Sequence, residues 1–251
     1  KGLSHLGAIQ EIFINNPSDQ ECVFDAPRIL LYDGDFNIPQ ELGVFLGSVF
    51  EEMGKENDIR PVIVVAHKFS PQVLKMVALN VQANRAAICP VETTATAQPN
   101  SRHHMLHDLA AFTNAKVFDP ITNTFATGKL EDLGACEKSR VGRYQTIFFG
   151  VDDDVRVKER TVILKKQMAN AESDFDAEII KERISQLSGG IATIFVGGAS
   201  ELEMREKKHR IEDAINAVRS AIDAGVVAGG GAALLAMASI IRVKAGNPPS
   251  A

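Results

Sequence analysis

Apolar and polar positions follow two rhythms along this chain, and the switches between them mark its elements. Short, nearly continuous apolar runs read as strands buried on both faces: ILLYD (29–33), VIVVA (62–66), AAIC (86–89), KVF (116–118), TIFFG (146–150) and IATIFVGG (191–198). Between them, apolar residues recur every three or four positions. Leu42, Phe45, Leu46, Val49 and Phe50 do so within 35–54, and Leu74, Val77, Ala78 and Val81 within 70–84, where Met76 and Leu79 widen the arc. Ser70 is placed to cap the second of these helices, and Pro71 suits its first turn. Further helices are predicted over 101–113, 157–171 and 176–187, with Ser173 and Asp176 as a capping box and Gly189 closing the last of them. Residues 1–27 read as extended and irregular, with Ile9, Ile12, Phe13 and Ile14 clustered ahead of the turn signal NNPSD. Strands alternating with helices in this way indicate an α/β fold.

The rhythm changes near residue 197, where GGASELEMREKKHRIEDAINAVRSAIDAGVVAGGG predicts a long helix, a stop and a glycine-rich turn. Ser200 with Glu203 is a capping-box pattern. Ile211, Ala214, Ile215, Val218, Ala221 and Ile222 form one apolar stripe, expected to be the buried side of the helix, and Asp213 and Asn216 lie off it. Gly225 ends the helix, Gly229, Gly230 and Gly231 make the turn, and AALLAMASII begins another helix.

Composition narrows the class without naming it. In 251 residues, 45% hydrophobic and 24% charged content is that of a globular protein with room for a sizeable core. Trp is absent and Tyr occurs only twice, so aromatic burial falls to 13 Phe. A net charge of −5 argues against a nucleic-acid surface, and these residues show neither a membrane-spanning run nor a signal-peptide pattern. Cys22, Cys89 and Cys136 have no metal-ligand spacing and read as free thiols of a cytoplasmic protein. The chain starts at Lys1 and ends in NPPSA, which suggests a piece of something longer.

The string EMREKKHRIEDAINAVRSAIDAGVVAGGGAALL closely resembles the segment of group I (bacterial-type) chaperonins that leads from the intermediate domain into the ATP-binding equatorial domain. FINNP, LEDLG, the SDFD-plus-helix unit and QLSGGIATIFVG resemble the apical domain of the same family. The resemblance implies an apical domain of layered strands flanked by helices over 1–190, an intermediate-domain segment over 191–224, and the start of an all-α equatorial domain over 225–251. It implies a chaperone that binds non-native polypeptides and, as a complete homo-oligomeric ring, refolds them in a cycle driven by ATP with Mg, with a co-chaperonin where one is used. The phosphate-binding loop of that family is not in this stretch. The piece alone is therefore expected to be inactive as an ATPase and to hold no cofactor, and neither nucleic acid nor membrane is expected as a partner.

Site residues follow from the same resemblance. Asp213 would position the water that attacks the γ-phosphate, and Gly229, Gly230 and Gly231 would approach the nucleotide. Polypeptide would be held by Leu42, Phe45 and Val49 on the first helix, by Leu74, Ala78 and Leu79 on the second, and by Ile9, Ile12 and Phe13 beneath them. Gly2, Gly190 and Gly225 would be hinges. From periodicity alone, these apolar stripes equally suit a core. His103 and His107 stand at i, i+4 with only Asp108 as an acid close by in sequence, so solvated or capping histidines are favoured and no metal site is expected. The competing functional class is a stand-alone α/β enzyme that binds a phosphorylated small molecule at the glycine pairs and the Gly229–Gly231 turn, although none of these follows a strand as GxGxxG.

Overall fold

The computed structural model describes residues 2–8, 11–93, 100–143, 145–150, 154–171, 173–189, 194 and 196–244. In chain order its elements are β1 (Gly2–Ala8), β2 (Cys22–Asp25), β3 (Arg28–Tyr32), β4 (Asp35–Phe36), α1 (Pro39–Lys55), β5 (Val62–Ala66), β6 (Lys68–Phe69), α2 (Pro71–Gln82), β7 (Ile88–Thr93), α3 (Ser101–Thr113), β8 (Val117–Phe118), β9 (Gly134–Ala135), β10 (Lys138–Val141), β11 (Gln145–Phe149), α4 (Asp154–Ala169), α5 (Asp174–Ser188), α6 (Glu201–Ala224) and α7 (Ala232–Lys244). The chain divides into two compact units, Lys1–Ala192 and Thr193–Ala251. It is a mixed α/β protein, as its patterning predicts.

The first unit is built on a nine-stranded sheet among the described residues, ordered β2-β10-β11-β1-β7-β5-β3-β8, with β9 also on β3. Four of the apolar runs expected to be buried on both faces supply its parallel part, where β5 pairs with β7 and β3, and β3 with β8; a fifth, TIFFG, lies in β11 of the antiparallel part. All five residues of β5 are buried, as a strand covered on both faces requires. Apart from β11, the antiparallel part comes from stretches whose patterning did not announce strands. GLSHLGA carries no β-branched residue, yet it forms β1 because β11 on one side and β7 on the other satisfy its backbone. Residues 1–27 are thus not irregular: they supply β1, β2 and a short 3₁₀ turn at Glu11–Phe13.

Two further expectations are corrected. The third run does not stop at Pro90 but continues to Thr93. β5 pairs with it from Ile88 to Glu92, while β1 reaches only Glu92 and Thr93, so Pro90 sits where the ladder is one-sided and a missing N–H is tolerated. In the predicted strand at 191–198, the described residues 194 and 196–198 have no regular structure.

Capping behaves as the sequence indicates. Ser70 Oγ accepts from Val73 N, Ser173 Oγ from Asp176 N, and Ser200 Oγ from Glu203 N. Glu203 closes its box on the N–H of Ala199 rather than on that of Ser200. In the second unit, α6 carries ion pairs one turn apart, Glu201–Arg205, Glu203–Lys207, Glu206–Arg210 and Lys208–Glu212, which support a long helix from its own side chains. Its apolar stripe is not buried as expected: Ile215, Val218 and Ile222 are exposed, as are Leu234, Leu235, Ile240 and Ile241 on α7.

A carboxylate pins the loop before β5. Asp58, nearly buried, accepts from Arg60 Nε (2.8 Å) and Arg28 Nη2 (3.0 Å). The Arg60 hydrogen bond, with a smaller one from Arg28, holds its carboxyl well below the usual carboxylate range. A carboxyl depressed in the folded state stabilises above its unfolded pKa, and that stabilisation disappears as pH falls towards the folded value. Stability should therefore drop between about pH 5 and pH 2, and chemical denaturation across that window should find a shallower slope in Asp58→Asn.

Candidate functional site

The apolar faces of α1 and α2 decide which predicted residues are available to a partner. On α1 the stripe Leu42, Phe45, Leu46, Val49 and Met53 is buried. Phe45 is 2% exposed and enters an aromatic cluster, with ring centroids 4.8 Å from Phe125 and 5.3 Å from Phe118. Gly128 lies over the same rings: a Cβ there would come within 2.6 Å of Phe45 and 2.7 Å of Phe118. Leu42, Phe45 and Val49 are thus core residues and not gripping residues, which corrects the expectation for this helix. Phe13 and Ala78 are likewise buried, and Leu74 is half-buried against the core. Ile9 lies outside the described residues.

What remains outside is an apolar edge that keeps two of the expected residues, Leu79 and Ile12. Leu79 is 57% exposed, Ile12 49% and Val44 75%, and Ile38 is also half exposed. The two helices meet at Gly43, where an added Cβ would stand 3.3 Å from Met76 Sδ. Glycine inside α1 lowers helix propensity, and close approach of α2 is its physical reason at this position. Met76 and Leu79 are three residues apart on α2, so Leu79 continues the stripe that starts at the Gly43 contact, while Val44 is exposed on α1. The signal for this edge was Val44 and Leu79 themselves, apolar residues off the buried stripes of their helices.

The glycine turn and Asp213 belong to the second unit. Asp213 is exposed on α6 and has no hydrogen-bond or ion-pair partner among the described residues. It stands about 18 Å along the helix from Gly225, whose φ of 80° ends α6. Gly230 and Gly231 also have positive φ, 64° and 82°, which asks for glycine, whereas Gly229 does not. A Cβ on any of the three would meet nothing within 4 Å, so the turn presents open backbone. Of the expected hinges, Gly2 begins β1 opposite Phe149, and Gly190 lies outside the described residues.

A third constellation was half visible in the sequence. His103 and His107 share one face of α3, with ring centroids 4.3 Å apart. The acid nearest to them in sequence, Asp108, is engaged elsewhere: Arg160 Nε (2.8 Å) and Arg183 Nε (2.7 Å) both donate to it. The acid that reaches the histidines is Asp33, just beyond β3, hydrogen-bonded to His103 Nδ1. Its other oxygen lies 2.9 Å from His67 Nε2, just beyond β5. Burial, more than any neighbouring charge, lowers the pKa of His67, His104 and His107.

Comparison with known proteins places these features. Residues 55–250 match the TCP-1/cpn60 chaperonin family. Among solved structures, the fold is similar to that of the chaperonin gp146 from the bacteriophage EL 2 (Pseudomonas aeruginosa), crystallised in the presence of ATP-BeFx. The TM-score is 0.68 at 18% sequence identity, over 98% of this chain and 47% of that one. The chain thus spans about half the length of the chaperonin it matches.

Proposed function

Because the chain belongs to the TCP-1/cpn60 chaperonin family, we propose that it is the polypeptide-binding part of a group I chaperonin subunit, and that it holds non-native chains at the exposed edge of α1 and α2. The observation that carries the reading is Leu79, more than half exposed on a helix whose other apolar residues are buried or half-buried. A globular protein seldom leaves such an edge open unless it binds something. Apolar contact is non-directional and so accepts many unfolded sequences. A single edge of this size is weak, and several copies in a ring would bind through avidity. In this reading residues 1–190 are apical, 191–224 intermediate and 225–251 equatorial, and the division near residue 192 supports the first of these boundaries. The apolar faces of α6 and α7 would be covered by the rest of the subunit. Nucleotide, ATP with Mg, would approach the open turn Gly229–Gly231 in the complete ring, with Asp213 directing the attacking water.

The test compares two leucines. Leu79→Ser should change stability by less than about 1 kcal/mol, as surface substitutions usually do, and weaken capture of a denatured client several-fold. Leu42→Ala, in the core, should cost about 2–5 kcal/mol. Chemical denaturation and client capture measured on both variants separate the roles. Large destabilisation by Leu79→Ser with capture unchanged would remove the edge from the mechanism.

A further inference from the structure

We propose that Asp33, His103 and His107 form a binding site for a divalent transition-metal ion of the zinc class, joining the end of β3 to α3. One ligand atom from each of the three lies within 4.8 Å of the other two, and among the described residues no other group of three such side chains converges in this way. The donor set is chemically coherent: two imidazoles one helical turn apart and a carboxylate suit zinc and its first-row neighbours, and leave coordination positions for water. Magnesium, which prefers oxygen ligands, is a poor match.

Position in the fold supports the same reading independently. β3 and β5 are adjacent parallel strands, and Asp33 and His67 follow their last residues, so the cluster sits at the carboxyl edge of the parallel sheet. In open α/β sheets this is the edge where ligands bind. Asp33 is fixed there by its backbone N–H, which donates to Phe118 O at 2.7 Å. His67 stands on the far side of the carboxylate, with Nε2 2.9 Å from Asp33 Oδ1 but out of line for a hydrogen bond. Its nearness to Oδ1 makes it a positioning residue, because it limits how far the carboxylate can turn while the other oxygen meets His103.

The experiment is a calorimetric titration of Zn²⁺ into the untagged full chain, repeated with Mg²⁺, with thermal unfolding followed in parallel. Saturation at one Zn²⁺ per chain with a raised midpoint is expected, since a ligand bound only by the native state stabilises it. His103→Gln and His107→Gln should each weaken Zn²⁺ at least about tenfold, and His67→Ala about tenfold. The double variant at 103 and 107 should abolish both binding and the thermal shift, whereas His209→Gln on α6 should alter neither. His103 is half exposed, so its substitution leaves the core intact, and circular dichroism of the metal-free variants verifies this. Protection of His103 and His107 from diethylpyrocarbonate by Zn²⁺ gives the same answer in the unsubstituted chain. The site is refuted if the unsubstituted chain fails to bind Zn²⁺, if binding persists in the double variant, or if Mg²⁺ saturates the chain at the same concentration.

Discussion

Replacing Asp108 with alanine should destabilise the first unit by about 3–5 kcal/mol, the largest loss expected from any single polar substitution in it. Asp108 lies on α3 with its side chain 9% exposed, and it receives Arg160 from α4 and Arg183 from α5. Arg183 binds it through both Nε (2.7 Å) and Nη2 (2.9 Å), the two-point geometry of the stronger guanidinium–carboxylate pairs. Three helices are thus joined at one carboxylate. Truncation leaves two largely buried guanidinium groups facing each other without a counter-charge, and the cost is that of unpaired buried charge rather than of lost attraction alone. Replacing all three residues by apolar ones of similar volume should be far milder, because no charge is then stranded. Denaturant titration of the single and triple variants distinguishes the two. A loss below about 1 kcal/mol for Asp108→Ala would mean that the arginines escape to water.

On the proposed chaperonin reading, Asp213→Ala in the complete subunit should slow ATP hydrolysis on the order of 100-fold while leaving nucleotide affinity nearly unchanged. The carboxylate is exposed on α6 and without a partner among the described residues, so its removal disturbs no packing. A residue that only directs water contributes to the transition state and not to ground-state binding, which predicts a fall in kcat at constant affinity. The 251-residue chain alone should turn over no ATP, because phosphoryl transfer depends on an assembled pocket and metal rather than on one carboxylate. Steady-state turnover together with equilibrium nucleotide binding checks both statements. Equal loss of binding and turnover would place Asp213 in nucleotide binding, and turnover by the 251-residue chain that Asp213→Ala abolishes would refute the assembled-pocket argument.

Family membership and local structure were legible in the residues themselves. The parallel strands β3 and β5, the helices α1 and α2 and the caps at Ser70, Ser173 and Ser200 all follow from short-range pattern. Such features depend on neighbours within a few positions, and periodicity records them directly. The strands β1 and β2 did not, because their pairing partners, not their composition, make them strands. Nor could periodicity say which apolar stripe was core. Leu42, Phe45 and Val49 have the spacing of a docking face as much as of a buried one, and only their burial in the fold, for Phe45 against the rings of Phe118 and Phe125, decides the matter. The histidines show the same limit. Sequence offered Asp108 as their acid, but the fold hands Asp108 to Arg160 and Arg183 and brings Asp33 to His103 from 70 residues away. By itself the sequence determined the parallel strands, most of the helices, their caps and the chaperonin kinship. Which faces meet, and which charges pair across long separations, was decided by tertiary structure alone, because spacing records which residues share a face but not what that face packs against.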